Sequence, residues 1–280
     1  MPVFHALILA LVQAATEFLP VSSTAHLILV PWLLGWQEHG LLFDIAVHLG
    51  TLVAVLLYFA KTWIRLAGLA VGKEIWKPQP GEPDHDLYEN PRLFWYLVAA
   101  TFPAGIAGLA LKDYVETAFR SPVVIGVMLI AVGFIIAWAE KVGRFDRELD
   151  RLSFGDAMAV GCAQAVALIP GTSRSGITMS TAMFLGVTRH SAARFSFLLS
   201  TPIILGAGLK AAVDAWQEGG IPPGEHTAFA VGVVASAIFG YLVIALFLRF
   251  LQRATMRVFV YYRIVLGLLV LGLVFLGQQL

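Results

Sequence analysis

The chain has 280 residues, of which 59% are hydrophobic and 13% are charged, and its mean hydropathy is +0.80. A soluble domain carries about a quarter charged residues, so this composition excludes a water-soluble protein and predicts one that exposes apolar side chains to lipid. The net charge of +1 offers no basic surface for nucleic acid, and the single cysteine, Cys162, excludes an intramolecular disulfide.

The first apolar segment, residues 4–30, is interrupted by Glu17 and Pro20 and cannot cross a membrane as one regular helix. Two short apolar arms flank an elbow that reads Pro20-Val-Ser-Ser-Thr24. Irregular backbone at membrane depth must be buried in protein or line a wet cavity. We therefore predict a re-entrant helical hairpin that contributes to a site.

Six later segments have the roughly 20 mostly apolar residues that a membrane-spanning helix needs. Three follow the first hairpin, and three follow a second interrupted segment, residues 154–187, with the elbow Pro170-Gly-Thr-Ser-Arg-Ser-Gly176. A polar loop is predicted at residues 73–92. The predicted fold class is all-α polytopic, with two re-entrant hairpins and spans at residues 42–59, 93–111, 123–139, 192–213, 228–250 and 259–276.

The basic residues predict how these spans are oriented. Lysine and arginine are concentrated after the first, third and fifth spans, so those connections are predicted to face the cytoplasm. The first hairpin then enters from outside and the second from the cytoplasm. This arrangement predicts two repeats of inverted topology, residues 1–140 and 153–280, within one membrane domain of residues 1–280.

The second elbow contains the groups that bind an anion. Gly171 and Gly176 allow backbone N–H groups to approach a ligand, and three hydroxyl side chains lie between them. Arg174 can hold phosphate oxygens through two parallel hydrogen bonds, and the helix that follows adds the positive end of its dipole. These features favour pyrophosphate as the ligand.

The first elbow contains groups suited to phosphoryl transfer. Gln13 and Glu17 are four residues apart and share one helix face, while Ser23 and His26 are three apart and can point together. Glu17 can hold a divalent metal or orient His26. His26 can deprotonate Ser23 or a water molecule.

Structural roles are the alternatives for these residues. The hydroxyls around Ser23 can cap a helix, His26 can be an interior histidine, and Glu17 can form a purely structural ion pair with Arg174. His48 lies in no metal-ligand spacing and is interpreted as a packing or interfacial residue.

The two elbows resemble those of the bacterial undecaprenyl-pyrophosphate phosphatase family of the bacitracin-resistance type. Two further segments fit the family pattern, so the resemblance covers essentially the whole chain. Gln13 departs from the glutamate that many members have, and His48 stands where glutamine is more usual. The matching segments are Gln13-x-x-x-Glu17, Phe18-Leu-Pro-Val-Ser-Ser-Thr-Ala-His26, Phe43-Asp-Ile-Ala-Val-His-Leu-Gly50, Pro170-Gly-Thr-Ser-Arg-Ser-Gly176 and Phe195-Ser-Phe-Leu-Leu-Ser-Thr-Pro202.

The resemblance implies an enzyme of the bacterial inner membrane that hydrolyses undecaprenyl or another polyprenyl pyrophosphate to the monophosphate and inorganic phosphate. Such an enzyme recycles the lipid carrier of cell-wall peptidoglycan synthesis, and its site opens to the periplasmic side. The resemblance also implies a divalent cation, Mg²⁺ or Ca²⁺, held here by Glu17 and Gln13. The implied catalytic residues are Glu17, Ser23, His26 and Arg174, and the implied substrate-binding residues are Ser22, Thr24, Gly171, Thr172, Ser173, Ser175, Gly176 and Thr178.

The alternative function is a transporter or flippase of a phosphorylated polyprenyl lipid. Inverted repeats with broken helices are typical of transporters, and an arginine–hydroxyl pocket can carry such a lipid without cleaving it. The group of Glu17, Ser23 and His26 favours the enzyme, because transport alone does not require it. A homodimer is compatible with the glycines of the third and sixth spans but is not required by them.

Overall fold

The computed structural model describes residues 1–37, 40–79, 81–82, 85–111, 114, 121–217 and 220–277. Within these ranges the chain forms twelve α-helices and a short 3₁₀ helix at Leu149–Arg151. The helices are α1 Val3–Phe18, α2 Ser23–Leu34, α3 Gly40–Tyr58, α4 Ala60–Ala70, α5 His85–Tyr88, α6 Leu93–Ala110, α7 Pro122–Val142, α8 Phe154–Val166, α9 Arg174–Phe184, α10 Arg189–Gln217, α11 His226–Leu251 and α12 Arg257–Phe275.

Six of the described helices, α3, α6, α7, α10, α11 and α12, are long and apolar enough to cross a membrane. They coincide with the six predicted spans. The first span, for example, was predicted at residues 42–59 and is the helix Gly40–Tyr58. The prediction of an all-α polytopic membrane protein is confirmed.

Four shorter helices form the two predicted hairpins. α1, α2, α8 and α9 contain 16, 12, 13 and 11 residues. At 1.5 Å per residue their lengths are about 17–24 Å, which is less than the roughly 30 Å of a bilayer's hydrocarbon core. α1 packs against α2, and α8 packs against α9, so each elbow joins two helices that return on each other.

Each hairpin packs against a membrane-spanning helix from the other half of the chain. α1 packs against α11 of the second half, and α8 packs against α6 of the first half. α7 and α12, the last helix of each half, pack against each other and against the elbows. The assignment of residues 1–140 and 153–280 to repeats of opposite orientation stays a prediction.

The glycines of α7 and α12 serve contacts within the chain. A Cβ added at Gly126 would lie 2.7 Å from the Leu271 side chain, and one at Gly267 would lie 2.7 Å from Ile130. These positions let the two helices pack closely, so they do not by themselves indicate a dimer surface. The homodimer stays a prediction.

The connection between the first two spans is more structured than its polar composition indicates. α4 follows the first span, and α5 lies inside the segment predicted as a loop. Asp86 of α5 is buried and accepts hydrogen bonds from Arg194 of α10 at 2.6 Å and from the Leu149 N–H at 3.4 Å. These contacts bring together residues far apart in the chain, and local composition carries no signal of them.

The contact between α8 and α6 depends on a glycine. A Cβ at Gly161 would lie 2.3 Å from the Ala100 carbonyl oxygen, so even alanine forces the helix that supports the second elbow to move. We expect Gly161→Ala to lower the melting temperature in detergent by about 5 °C. Gly206→Ala is the matched control, because nothing lies within 4 Å of its added Cβ. Equal melting temperatures for the two variants would contradict this packing.

Candidate functional site

Both elbows contain the same unusual backbone conformation. Ser22 has φ 76° and ψ 96°, and Ser173 has φ 70° and ψ 111°, which is a left-handed region that non-glycine residues rarely adopt. Such a residue costs about 1–3 kcal/mol and persists only where the surrounding structure imposes it. Each serine directly precedes a helix, so Ser23 and Arg174 occupy equivalent first positions of α2 and α9.

The carboxylate of Glu17 joins the two elbows. Its Oε1 accepts a hydrogen bond from Arg174 Nη2 at 3.0 Å, and its Oε2 accepts one from Ser23 Oγ at 2.7 Å. Gln13 Nε2 also donates to Oε2 at 3.2 Å. Glu17 is only 6% exposed, and an ionisable side chain buried in a membrane protein is a candidate for function even when it has a partner. Of the predicted catalytic and metal-binding residues, the structure brings together Gln13, Glu17, Ser23 and Arg174, but not His26.

Arg174 is held from two sides at the beginning of α9. Its Nη2 donates to Glu17, and its Nη1 donates to the Ser196 carbonyl of α10 at 2.9 Å. Thr178 donates to the Arg174 carbonyl at 2.7 Å and its hydroxyl lies 2.7 Å from Ser196 Oγ. Thr178 is predicted to bind substrate, and in the structure it contacts the Arg174 backbone and the Ser196 side chain.

A cavity of about 310 Å³ opens beside these groups. Its polar wall consists of residues from both elbows, from α3 and from α8, and the rest of its wall is apolar. Among the predicted residues, Glu17, Ser23, Thr24, Ser173 and Arg174 line it. The apolar wall comes mainly from α3 and α10 and includes Leu41, Ile45, Leu49, Ile203, Ile204 and Ala207.

Several buried polar atoms around the cavity have no hydrogen-bond partner within the described residues. They include Arg174 Nε, Gln13 Oε1 and both amide atoms of Gln164, which also lines the cavity. A buried polar group without a partner costs about 1–3 kcal/mol. Their concentration here indicates a place prepared for a polar ligand.

His26 lies outside this group. Its Nδ1 donates to the Ser22 carbonyl at 2.7 Å, which fixes the tautomer, and its Nε2 therefore accepts from the Tyr262 hydroxyl at 2.6 Å. His26 does not line the cavity, and its contacts stabilise the strained Ser22 backbone. A catalytic role for His26 stays a prediction.

The other predicted binding residues shape the second elbow. Ser175 Oγ donates to the Leu19 carbonyl of the first elbow at 3.0 Å, and the Gly176 N–H donates to Ser173 Oγ at 3.1 Å. Gly171 has φ 91°, and a Cβ there would lie 2.6 Å from the Ile125 carbonyl oxygen.

The hydroxyls of Ser22 and Thr172 are buried without a partner among the described residues. Direct substrate contact by these residues also stays a prediction.

Arg263 of α12 ties the elbows together, and sequence reasoning missed it. Its side chain is fully buried and donates to five backbone carbonyls on three segments. These carbonyls belong to Pro20 of the first elbow, Gly171 and Thr172 of the second, and Met128 and Leu129 of α7. An arginine interrupting an apolar span was the available signal, because a charge inside a membrane helix needs a partner.

His48, interpreted from the sequence as a packing or interfacial residue, lies in the wall of the cavity. Its Nδ1 lies 2.6 Å from the Asp44 carbonyl oxygen, and its Nε2 lies 3.4 Å from Glu17 Oε2. Both His48 and Asp44 line the cavity. The four-residue spacing of these two polar groups in an apolar span placed them on one helix face, which was the signal that could have found them.

The chain is similar to known proteins over nearly its whole length. A family model described as "Bacitracin resistance protein BacA" matches residues 6–269. A protein of Desulforudis audaxviator named undecaprenyl-diphosphatase is 48% identical over 269 residues, covering 96% of each chain.

Proteins with the same name from Pelotomaculum thermopropionicum and Geobacter metallireducens are 46% and 44% identical. The first match covers 98% of this chain and 97% of the relative, and the second covers 97% and 98%. The resemblance noted at the two elbows is confirmed. The chain belongs to the bacitracin resistance protein BacA family.

Proposed function

We propose that this protein hydrolyses undecaprenyl pyrophosphate to the monophosphate and inorganic phosphate, and so recycles the lipid carrier of cell-wall synthesis. The observation that carries the proposal is Glu17, which binds Ser23 of one elbow and Arg174 of the other in the wall of one cavity. The relatives named above are undecaprenyl-diphosphatases, and the name favours a hydrolase over the alternative of a transporter or flippase.

The second elbow would bind the pyrophosphate. Arg174 has an unpaired Nε, and Ser173 lines the cavity at the N-terminus of α9, where the helix dipole favours negative charge. Contacts to Glu17 and Ser196 hold the guanidinium in place before the substrate arrives. Such preorganised charge is the main source of catalysis in phosphoryl transfer.

The first elbow would provide the nucleophile. Ser23 Oγ already donates its proton toward Glu17 Oε2 at 2.7 Å, so Glu17 is the base within hydrogen-bond reach. In the proposed step, Ser23 attacks the terminal phosphorus, Glu17 takes its proton, and the polyprenyl monophosphate leaves. Water then attacks the phosphoserine, Glu17 returns its proton to Ser23 Oγ, and inorganic phosphate leaves with both protons of the water molecule.

A divalent cation fits this donor set. Glu17 is a carboxylate ligand, and the neighbouring Gln13 Oε1 is a buried oxygen without a partner among the described residues. The described residues contain no group of three or more His, Cys, Asp or Glu side chains that could hold a metal. Pyrophosphate oxygens and water would therefore complete the coordination, as is usual for Mg²⁺. The cation would neutralise charge on the phosphates.

The prenyl chain would follow the apolar wall of the cavity between α3 and α10. Leu41 and Asp44 line the cavity at the beginning of α3, next to the loop that the charge pattern predicts to be external. This placement supports a cavity that opens to the periplasmic side of the bacterial inner membrane. The bilayer would then deliver the lipid laterally while its head group reaches the elbows.

The serine assignment is tested by Ser23→Ala in purified protein. We expect phosphate release from undecaprenyl pyrophosphate to fall at least about 10³-fold, because the attacking oxygen is lost. Wild-type protein mixed with substrate labelled in its terminal phosphate and quenched in acid is expected to retain label on Ser23.

Ser180→Ala is the matched control, because this serine is buried in α9 but lies outside the cavity. It is expected to release phosphate at the wild-type rate. If Ser23→Ala keeps more than a tenth of the wild-type rate, Ser23 is not the nucleophile.

A further inference from the structure

A second groove lies between α7 and α12, away from the Glu17 cavity. Its volume is about 540 Å³, and it shares no lining residue with the cavity at the elbows. Glu140 near the C-terminus of α7 accepts a hydrogen bond from the Met256 N–H at 2.8 Å. This contact places the end of α7 beside the beginning of α12, so the groove follows two adjacent helices.

Positive charge is concentrated at one end of the groove. Lys141 and Arg257 both line it, both are exposed, and neither forms an ion pair with another described residue. Glu140 also lines the groove, but Arg189 binds its carboxylate through two nitrogens at 2.6–3.0 Å. The acidic side chain is therefore neutralised, and two unpaired cations remain.

The other end of the groove is apolar. Phe134 lies seven residues before Lys141, and Ile264 lies seven after Arg257, which is about 10 Å along each helix. Phe134 is 60% exposed and Tyr261, also in the groove, is 69% exposed. In a membrane such side chains contact lipid, and a tyrosine near a helix end is typical of the interface.

We propose that this groove binds an anionic phospholipid. Its phosphate would contact Lys141 and Arg257, and one acyl chain would lie against Phe134 and Ile264. A choline head group would bring a cation toward two cations, so charge complementarity selects a net-negative lipid. The basic loops predict that this end faces the cytoplasmic leaflet, where basic pockets between helices bind anionic head groups.

The test is lipid binding to the full-length protein in detergent, measured by native mass spectrometry with phosphatidylglycerol and phosphatidylcholine at equal concentration. Wild-type protein is expected to retain phosphatidylglycerol preferentially. Lys141→Gln/Arg257→Gln is expected to weaken that binding about 25-fold, since each cation near the surface contributes about fivefold. Ala137→Phe fills the groove without changing its charge and is expected to weaken binding as well.

The matched control is Lys61→Gln/Lys73→Gln, which removes the same charge from exposed positions outside the groove. An equal loss in this control, or equal binding of both phospholipids by wild type, would overturn the proposal. Stronger retention of a polyprenyl monophosphate than of phosphatidylglycerol would also overturn it. Phosphate release in lipid-free detergent is expected to be unchanged in all of these variants, so the outcome is independent of the proposed hydrolase activity.

Discussion

Arg174→Gln is expected to lower phosphate release from undecaprenyl pyrophosphate by about 10³-fold or more, the effect typical of an arginine that stabilises phosphoryl transfer. Glutamine keeps a polar side chain, but it is shorter and loses the charge and the fork of donors. The measurement is kcat/KM for phosphate release by purified protein. Arg249→Gln is the matched control, because that arginine is exposed and lies outside the cavity.

Because Arg174 forms an ion pair with Glu17, the effect of Arg174→Gln on activity must be separated from its effect on stability. Arg174→Gln leaves the Glu17 carboxylate buried without its arginine partner, and breaking a buried pair in this way costs about 3–5 kcal/mol of stability. Glu17→Gln/Arg174→Gln removes both charges, so its melting temperature is expected to recover toward the wild-type value.

Activity is expected to remain lost in the double variant, because the two side chains act on the same reaction. A purely structural pair would give the opposite result, with activity returning together with stability. The double variant therefore separates the proposed catalytic role from the structural alternative.

Replacing Arg263 with methionine is also expected to produce a large loss of stability. Methionine fills a similar volume but leaves five carbonyl oxygens without their donor, including those of Pro20, Gly171 and Thr172. Removing one partner from a buried charged hydrogen-bond network typically costs about 3 kcal/mol or more. The melting temperature in detergent is expected to fall by about 10 °C.

Arg263→Lys addresses the positioning role of this side chain. A lysine keeps the charge, but its three donors cannot reach five carbonyls on three segments, so the elbows should move apart. We expect kcat to fall more than KM rises, measured at a temperature where the variant is folded. Arg253→Met is the matched control, since Arg253 is exposed. An Arg263→Met variant that melts within 2 °C of this control would contradict the account.

The sequence predicted the spans and the elbows because both have local signals. Runs of apolar residues define the spans. The elbows are marked by Pro20, which interrupts the first apolar segment, and by Glu17 and Arg174, whose charges a regular helix would leave in lipid. The pairing of the elbows followed from their shared pattern, and the ion pair between Glu17 and Arg174 was recognised only as an alternative. The structure places these two side chains 3.0 Å apart, in the wall of the cavity.

The interactions that the sequence did not predict connect distant segments. Arg263 contacts Pro20 across 243 residues, and its partners are carbonyl oxygens, which every residue has. Ser196 holds Arg174 through its backbone, so its side-chain type carries no signal of that contact. The placement of His26 against Tyr262 rather than Ser23 likewise depends on how α12 packs, which helical spacing within α2 cannot determine.

The central claim is that the two elbows form one pyrophosphatase site, and phosphate release from undecaprenyl pyrophosphate tests it most directly. Purified protein would be assayed with Mg²⁺ and with a chelator, beside Glu17→Gln/Arg174→Gln. The account predicts metal-dependent release by the wild type and none by the folded double variant. Release at the wild-type rate by that variant, or no release by wild-type protein that still binds the lipid, would contradict it.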